Sequence, residues 1–388
     1  MQSFDVAVLG LGAMGSATLW HLAKAGVRVI GIDRYAPPHN QGSTHGETRI
    51  TRCAIGEGDA LVPLALRSHQ LWRKVEAETG ADLLHQIGSL IIGTPDDAVQ
   101  RPGRTGFLER SIAAARRFGI AHDILTAAEI RSRFPNFCPR DDEIGYFEPG
   151  GGYLRVEDCV AANLQLARRH GATVLLGNIV LSIAPDGGGV RIVTGDTTIH
   201  AAKVAVAVGA WAGALLGKPF TALLKPTRQV MHWFEIEADH AETWTRSPVF
   251  MWPHGAKQDG FFYGFPSLDG ESMKTADEFY GAASDPDAID RTVPRTDSER
   301  LHRDHLAGRF VGLSSRVART TTCIYTATAD SGFVIDAHPR LANVLAVSPC
   351  SGHGFKHSAA IGEAVSANLL GQPTPLDLSP FALGRLLA

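Results

Sequence analysis

Apolar runs and glycine turns alternate at the start of the chain. FDVAVLG (4–10) has the pattern of a short buried strand, and SATLWHLAKAG (16–26) has the pattern of a helix that ends at Gly26. VRVIGID (27–33) is apolar again and predicts a second strand, which ends at Asp33. This order of strand, glycine turn, helix and strand is typical of an α/β fold.

The same alternation returns later in the chain. GATVLLGNIVLSI (171–183) predicts two further strands, and AAKVAVAVGAWAGALLG (201–217) predicts a buried strand, a glycine turn and the start of a helix. SGHGFKHSAAIGEA (351–364) predicts a glycine turn that leads into a helix. The segment 275–300 is polar, and we expect it on the surface.

The first turn carries the spacing Gly10-x-Gly12-x-x-Gly15. Gly10 permits a tight turn, Gly12 lets the backbone approach a pyrophosphate, and Gly15 allows the helix to pack closely on the strand. The helix N-terminus offers free N–H groups to the phosphates, and Asp33 can accept hydrogen bonds from a ribose. The motif predicts a dinucleotide site, but it does not separate NAD from FAD.

The chain after the second strand departs from a simple nicotinamide-binding domain, which would continue with another helix and strand. RYAPPHNQGSTHGETRITRCAIGEG (34–58) is rich in proline, glycine and small hydroxyl residues, and it contains Arg49 and Arg52. We therefore expect an extended loop that contacts a ligand, which favours FAD.

Composition narrows the classes of function. The chain has 388 residues, which predicts two domains. Its 37 Lys and Arg nearly balance its 40 Asp and Glu. The chain therefore has no excess of positive charge that would indicate binding to nucleic acid or an anionic membrane. The amino-terminal segment has the features of neither a signal peptide nor a membrane span. We expect a cytoplasmic protein in which His302 and His305 of LHRDH are solvated rather than bound to a metal.

The cysteines are few, odd in number and scattered: Cys53, Cys138, Cys159, Cys323 and Cys350. They form neither a disulfide framework nor a CxxC zinc pattern, which favours a reducing compartment and predicts no metal site. Cys323 stands out because threonines precede it, whereas a core cysteine usually lies in an apolar run.

Several blocks resemble the monomeric sarcosine oxidase and N-methyltryptophan oxidase family of flavoenzymes. They follow the family order along almost the whole chain: Gly42-Ser43, His45-Gly46, Thr48-Arg49, Arg52 and Gly56-Glu57-Gly58, then YGFPS (263–267), CIYTATAD (323–330), FVIDAHP (333–339) and SGHGFK (351–356). The resemblance implies an α/β fold, α+β overall, with a Rossmann-like FAD-binding domain and a second, mixed-sheet substrate domain. The first would cover roughly 1–84, 150–220 and 320–388, and the second roughly 85–149 and 221–319.

The resemblance implies FAD as the cofactor, bonded through the sulfur of Cys323 to the 8α-methyl group of the flavin. Cys350, directly before SGHGFK, is the second candidate for this bond. The residues expected around FAD, from the glycine motif and the resemblance together, are Gly10, Gly12, Gly15, Asp33, Ser43, Thr48, Arg49, Val180, Cys323, Gly352, His353, Gly354 and Lys356.

The resemblance also implies the residues of the substrate site. Arg52 and Lys356 match positions that bind a substrate carboxylate. The guanidinium of an arginine can bind it with two parallel hydrogen bonds, and a lysine supplies a point charge. Arg52 has an alternative role in binding a phosphate or in a structural ion pair. Lys274 matches a lysine above the flavin, where a cation would stabilise superoxide during reoxidation. Tyr263 and Arg49 complete the set of catalytic candidates.

The implied reaction is the oxidation of a secondary amine, an N-methyl or cyclic amino acid, by dioxygen. The products would be hydrogen peroxide and an imine, which hydrolyses to an aldehyde and an amine. We expect a monomer. Three alternatives stay open: a NAD-dependent dehydrogenase, a flavin dehydrogenase that passes electrons to a quinone or partner protein, and a flavin-binding module without turnover.

One segment departs from the family pattern. Relatives carry a histidine that contacts the substrate carboxylate shortly after the lysine matched by Lys274, and this chain has Asp277 and Glu278 there. Ile55 stands where relatives usually have tyrosine. We expect a rebuilt pocket, bounded by Ile55 and an acidic wall, that favours an amino acid larger than sarcosine with a basic or amphipathic side chain.

Overall fold

The computed structural model describes residues 2–95, 106–254, 260–278, 281, 283–374 and 376–387. Nineteen β-strands and ten α-helices lie within these ranges, joined in places by short helical turns. None of the described helices has the length and apolar character that crossing a membrane requires.

The strands in chain order are β1 Gln2–Leu9, β2 Val29–Ile32, β3 Thr48–Thr51, β4 Leu84–His85, β5 Ser89–Gly93, β6 Asp123–Thr126, β7 Ile144–Glu148, β8 Gly152–Arg155, β9 Thr173–Leu175, β10 Val180–Asp186, β11 Gly189–Thr194, β12 Thr198–Val206, β13 Lys225–Ile236, β14 Val249–Pro253, β15 Phe261–Gly264, β16 Ser272–Asp277, β17 Leu313–Ala327, β18 Val334–Ala337 and β19 Val344–Ser348. The helices are α1 Ala13–Lys24, α2 Val62–Thr79, α3 Phe107–Phe118, α4 Ala127–Arg133, α5 Val156–Arg169, α6 Ala212–Leu216, α7 Phe220–Leu223, α8 Ala241–Thr245, α9 Arg295–Leu301 and α10 Ser358–Leu370.

The first sheet has a parallel core in which β9, β2, β1, β12 and β19 lie side by side in that order. β10 and β11 form an antiparallel extension from β12, and β18 pairs antiparallel with β19. The strand–helix–strand unit predicted in the first 33 residues is confirmed, as are the strands of 171–183 and the strand and helix of 201–217.

β1 is apolar without alternation because both of its faces are covered. Val6 and Val8 belong to the hydrophobic cluster that contains residues of α1, α5 and α10, whereas Ala7 and Leu9 belong to the cluster that contains residues of α6 and α7. A side chain at Gly15 would collide with the carbonyl oxygen at position 10. Close packing of α1 therefore depends on this glycine, and the N-terminus of α1 stands at the carboxyl edge of the sheet.

The second sheet is mixed, with the order β17-β13-β16-β15-β14-β5-β7-β6. β14 and β5 run parallel, and the other neighbours in the sheet run antiparallel. β17 crosses residue 320, the predicted domain boundary, and is buried from Thr322 to its end. One strand thus leads from the second sheet towards the predicted cofactor site. The domain boundaries themselves stay a prediction.

A third, small sheet contains β3, β8 and β4. β3 pairs antiparallel with β8 and lies within 34–58, so the prediction of an extended loop is wrong for residues 48–51. The pairing holds the backbone that carries Arg49, and Arg52 follows the strand directly.

One surface prediction is wrong in part and another is wrong. The segment 275–300 begins inside β16, where Asp277 is buried, and Glu278 after it is buried too, whereas most of the described residues from 283 to 300 are at least partly exposed. His305 is buried rather than solvated, and its Nδ1 lies 2.9 Å from Nε2 of His254. The polar pattern misled because these side chains contact other polar groups in the interior.

Candidate active site and cofactor cavity

A cavity of about 380 Å³ opens at the turn between β1 and α1, and we call it the cofactor cavity. Gly10 and Gly12 line it with the first residues of α1, a helix that has no side-chain cap at its N-terminus. Gly15 lies in the contact of α1 with β1. This arrangement presents backbone N–H groups and the positive end of the helix dipole to an anion.

Asp33 follows β2 at the same edge of the sheet and lines the cofactor cavity. Its Oδ2 accepts a hydrogen bond from the Leu11 N–H at 2.7 Å, and its Oδ1 accepts one from the Tyr35 N–H at 2.8 Å. Each carboxylate oxygen keeps further acceptor capacity for a ribose hydroxyl. Val180, the first residue of β10, also lines the cavity.

The loop after β2 brings Ser43 and Arg49 to the cofactor cavity. Arg49 donates to the carbonyl groups of Ser43 and Thr48 at 2.8 Å, and its Nη2 lies 3.6 Å from Cys323 Sγ. Burial alone would lower the pKa of Arg49, but Cys323 and nearby tyrosines raise it overall. A guanidinium is therefore held beside the thiol of Cys323.

The two candidate sulfur atoms have different surroundings. Cys323 is 2% exposed, and its Sγ lies 3.6 Å from the carbonyl oxygen of Ser43, which lines the cofactor cavity. Cys350 lines the cavity itself, and its Sγ accepts the N–H of Thr326 at 3.2 Å. Burial raises the pKa of the Cys350 thiol. Cys350 thus has access to the cavity, and Arg49 directly contacts Cys323 while also acting on Cys350 through its charge.

The turn before α10 supplies another part of the wall. Gly352 and Gly354 line the cofactor cavity. The Nε2 of His353 lies 2.9 Å from the carbonyl oxygen of Ser331. Lys356 is 5% exposed, and its Nζ donates to the carbonyl oxygen of His353 at 2.7 Å. The predicted glycine turn thus places a buried ammonium group close to the cofactor cavity.

A second space, of about 60 Å³, shares Arg49, Tyr325, Gly352 and Phe355 with the cofactor cavity, and we call it the small cavity. The hydroxyl of Tyr263 in its wall lies 3.3 Å from that of Tyr325. The rest of the wall consists of Ile50, Arg52, Glu57, Met251, Phe261, Glu278, His353 and Lys356. Four of the five catalytic candidates, Arg49, Arg52, Tyr263 and Lys356, therefore line one space.

Arg52 is 1% exposed and forms an ion pair with Glu57, with Nη2 at 2.6 Å from Oε2. It also donates to the carbonyl oxygen of Ala54, and its guanidinium carbon lies 5.0 Å from the ring centre of Phe107. Its Nε has no hydrogen-bond partner among the residues that the structure describes. The structural ion pair that the sequence left open for Arg52 is present, and one donor remains for another group.

Lys274 lies within β16 and is 4% exposed, so it is not a lysine of a solvent-facing loop. Its Nζ donates to the carbonyl oxygens of Gly46 and Thr48 at 2.7 and 2.8 Å, and it lies 3.9 Å from the ring centre of Phe265. Burial and then the charge of Arg49 lower the pKa of Lys274 well below its ordinary value. Lys274 lines a different space, of about 420 Å³.

The acidic wall predicted from two residues is formed by one of them. Glu278 lines the small cavity, whereas the Oδ2 of Asp277 pairs with Arg300 Nη2 at 2.7 Å. Ile55 packs in the hydrophobic core that contains residues of α1 and α2. The prediction that Asp277 and Ile55 bound the pocket is therefore wrong.

Sequence reasoning missed three carboxylates, which hold either a cationic side chain of the site or the backbone near it. The five-residue separation of Arg52 and Glu57 was a local signal for their ion pair. Glu157 accepts the Gly46 N–H at 2.7 Å, and Glu148 accepts two backbone N–H groups just after Arg52, at 2.6 and 3.0 Å. These two acids lie far along the chain from their partners, so no local pattern indicated them.

The residues of the cofactor cavity fit FAD. The nearest atom to a side chain added at Gly12 would be Thr44 Oγ1 at 3.6 Å, so the backbone of the turn stays open to a pyrophosphate. Asp33 lines the cavity, and its carboxylate oxygens keep acceptor capacity that a ribose hydroxyl could use. Arg49 and Tyr325 belong to both cavities, so a ring system there would face the small cavity.

Known proteins with similar sequences are FAD-dependent oxidoreductases. The protein family described as FAD dependent oxidoreductase matches residues 5–368. Monomeric sarcosine oxidase of Streptomyces avermitilis is 36% identical, over 100% of this chain and 98% of its own. N-methyl-L-tryptophan oxidase of Yersinia pestis is 32% identical, over 99% of this chain and 100% of its own. The predicted resemblance is confirmed.

Solved structures agree on the fold. NikD, described as an unusual amino acid oxidase essential for nikkomycin biosynthesis, is 26% identical with a TM-score of 0.82, over 98% of both chains. Glycine oxidase of Geobacillus kaustophilus is 23% identical with a TM-score of 0.76, over 99% of both chains, and shares the fold. The predicted fold class and the prediction of FAD are confirmed. The chain belongs to the family of FAD-dependent oxidoreductases.

Proposed function

We propose that this protein is an FAD-dependent oxidase of a secondary amine, with an N-methyl or cyclic amino acid as substrate and dioxygen as electron acceptor. The relatives named monomeric sarcosine oxidase and N-methyl-L-tryptophan oxidase support this substrate class. The products would be hydrogen peroxide and an imine, which hydrolyses to an aldehyde and an amine. The domain boundaries, a monomeric state and a cytoplasmic location stay predictions.

The observation that carries the proposal is the small cavity next to the cofactor cavity, with Arg52 and Lys356 in its wall. Both side chains are buried, so a carboxylate that enters makes charge-assisted contacts with little competition from water. The cavity of about 60 Å³ is smaller than an amino acid. Arg52 can contact the carboxylate through Nε, the donor that has no partner among the described residues, while Nη2 stays paired with Glu57.

FAD, when bound, supplies the two-electron chemistry at the carbon next to the amine nitrogen. The chain itself supplies position and environment. We assign Arg52 and Lys356 to the substrate carboxylate, with Tyr263 and its hydroxyl partner Tyr325 in the wall beside the substrate. We assign Lys274, a buried hydrogen-bond donor, to the negative charge that develops on dioxygen.

We further propose that FAD is joined covalently through Cys323. The Nη2 of Arg49 lies 3.6 Å from Cys323 Sγ, which places a cation beside the sulfur that would form the bond. We expect the denatured protein to keep flavin fluorescence on a gel, Cys323→Ser to lose it, and Cys350→Ser to retain it. The reverse pattern would assign the bond to Cys350.

The test of the proposed function is a screen for peroxide release from N-methyl, cyclic and D-amino acids. We expect peroxide release with at least one N-methyl or cyclic amino acid. We expect none with the substrates of NAD-dependent dehydrogenases. Reduction of the flavin by such a substrate without peroxide in air would favour the alternative, a dehydrogenase that passes electrons to a quinone or partner protein.

A further inference from the structure

Residues 284–292, which we call the bridging segment, are fastened to the second sheet. Arg228 in β13 donates to the carbonyl oxygens of Asp290 and Thr292 at 2.8 and 2.7 Å. Asp287 in the middle of the segment nevertheless lines the cofactor cavity. A part of the chain that follows β16 of the second sheet therefore contributes to the space in which FAD fits.

The bridging segment also contacts residues that follow strands of the first sheet. Arg291 donates to the carbonyl oxygen of Gln41, in the loop after β2, at 2.7 Å. The Oδ1 of Asp287 accepts from Arg34 Nη1 at 2.7 Å and from Trp211 Nε1 at 2.8 Å. Arg34 follows β2, and Trp211 follows β12. The segment thus joins the second sheet to the carboxyl edge of the first sheet.

These contacts lie at the end of the cofactor cavity where adenosine is expected. In a Rossmann-like domain the acid after the second strand binds a ribose, and this acid is Asp33, directly before Arg34. The carbonyl oxygen of Asp33 accepts the N–H of Asn178 at 3.0 Å, which brings the start of β10 to the same place. Ile179 and Leu181 line the cavity there although they are 46% and 61% exposed. A planar ring bound at this end would cover them.

Arg34 has the chemistry to bind a purine. Its guanidinium carbon lies 5.0 Å from the ring centre of Trp211 and 5.1 Å from that of Tyr35. Its Nε has no hydrogen-bond partner among the residues that the structure describes, whereas its Nη1 is held by Asp287. Adenine offers ring nitrogens that accept hydrogen bonds and a face that stacks on a guanidinium or an indole.

We propose that Asp287 closes the adenosine end of the cofactor cavity, because it holds Arg34 and Trp211 in the positions from which they bind the adenine ring of FAD. Asp287 is a positioning residue in this role, and it acts through the two side chains that donate to it. The inference concerns the binding of the dinucleotide alone, so it does not rest on which amine the protein oxidises.

The first test compares FAD with FMN, which contains the flavin but no adenosine. Each is titrated into apoprotein of Cys323→Ser, or of Cys350→Ser if that variant is the one that releases its flavin, and flavin fluorescence gives Kd. Asp287→Ala should raise Kd for FAD about tenfold, which corresponds to about 1.4 kcal/mol, and leave Kd for FMN unchanged. Asp239→Ala is the control, because Asp239 is exposed and lies outside the cavity. An unchanged Kd for FAD, or an equal rise for both flavins, would overturn the proposal.

The second test asks whether Asp287 acts through Arg34. Arg34→Ala should also raise Kd for FAD, and Asp287→Ala should add much less in the Arg34→Ala protein than it does alone. Asp287→Asn keeps an acceptor oxygen and should cost less than Asp287→Ala. Fully additive effects of Arg34→Ala and Asp287→Ala would contradict the positioning role.

The third test locates the adenosine half directly. ADP carries adenosine and the pyrophosphate without the flavin, and hydrogen exchange follows the backbone amides of residues 284–292 in the apoprotein. We expect ADP to slow this exchange and FMN to leave it unchanged, which would support the inference even if no amine released peroxide. Equal slowing by ADP and FMN, or none by ADP, would overturn it even if sarcosine were oxidised rapidly.

Discussion

Single residues in this site combine deep burial with ionisable side chains. Arg52 and Lys356 are 1% and 5% exposed, and each contacts groups that orient it: Glu57 holds Arg52, and the carbonyl oxygen of His353 accepts from Lys356. Buried charges are costly unless they are paired or hydrogen-bonded. These side chains are therefore fixed in direction before a substrate arrives, which suits the recognition of a carboxylate.

Lys356→Ala should raise KM for amino acid substrates by roughly 10- to 100-fold, because a charge-assisted contact contributes about 1.5–3 kcal/mol. A secondary amine without a carboxylate should be affected much less. The measurement is steady-state peroxide release with both substrate types, with the exposed Lys218→Ala as control. An equal loss for both types would remove Lys356 from the carboxylate site.

Lys274→Met should slow the reaction with dioxygen by roughly a hundredfold, the effect expected for loss of one buried group that stabilises developing negative charge. Reduction by the amine without air should change little, because Lys274 lines a different space from the small cavity. Stopped-flow measurement of the two half-reactions checks this, with Lys218→Met as control. Slowing of both half-reactions to the same extent would point to a structural role.

Among the secondary-structure elements, β16 decides which polar residues face the site. It lies between β13 and β15, with Lys274 opposite Trp233 and Ala276 opposite Tyr263. Because successive side chains of the strand face opposite sides of the sheet, Asp277 lies on the far face and Glu278 lies on the side of the small cavity. Two adjacent acids therefore have different roles.

Asp277→Asn should lower the free energy of unfolding by about 2 kcal/mol, because it breaks a pair in which Asp277 is buried and Arg300 is partly exposed. KM for amino acids should not change. Urea unfolding and steady-state kinetics on the same preparation test both statements. A changed KM at unchanged stability would show that Asp277 faces the substrate after all.

Over the whole molecule, the cofactor cavity joins parts of the chain that are distant in sequence. Its wall includes the glycine turn at Gly10, Val180 at the start of β10, Tyr325 near the end of β17 and Cys350 before α10. Asp287 also lines it and accepts from Arg34 at 2.7 Å. A ligand in this space contacts all these segments only in the folded state, so it must stabilise the fold.

Removal of FAD should therefore lower the melting temperature. At a concentration of a hundred times Kd, a ligand adds about 2.7 kcal/mol, or on the order of 5 °C for a chain of this size. Cys323→Ser, in which FAD should be removable, allows melting curves with FAD removed and then added back. Identical melting temperatures would show that the cofactor contributes nothing to the stability of the fold.

The sequence by itself determined the first structural unit and the likeness to relatives. Gly10, Gly12, Gly15 and Asp33 act within a short stretch, and the conformations and periodicities they require are local properties of the chain. The wider assignment of FAD and of the candidate residues came from the order of several motifs. Those motifs carry the resemblance, but they do not specify the distances between residues in the folded protein.

Only the tertiary structure decided which groups meet. Arg49 and Cys323 are 274 positions apart, and their contact depends on the pairing of β17 with β13 and on the loop that Ser43 anchors. The polar stretch that begins at 275 has the composition of a surface loop, yet strand pairing on both sides of β16 buries its start. Pairing between strands that are distant in sequence determines which side chains of β16 face the site. It placed Glu278, but not Asp277, in the wall of the small cavity.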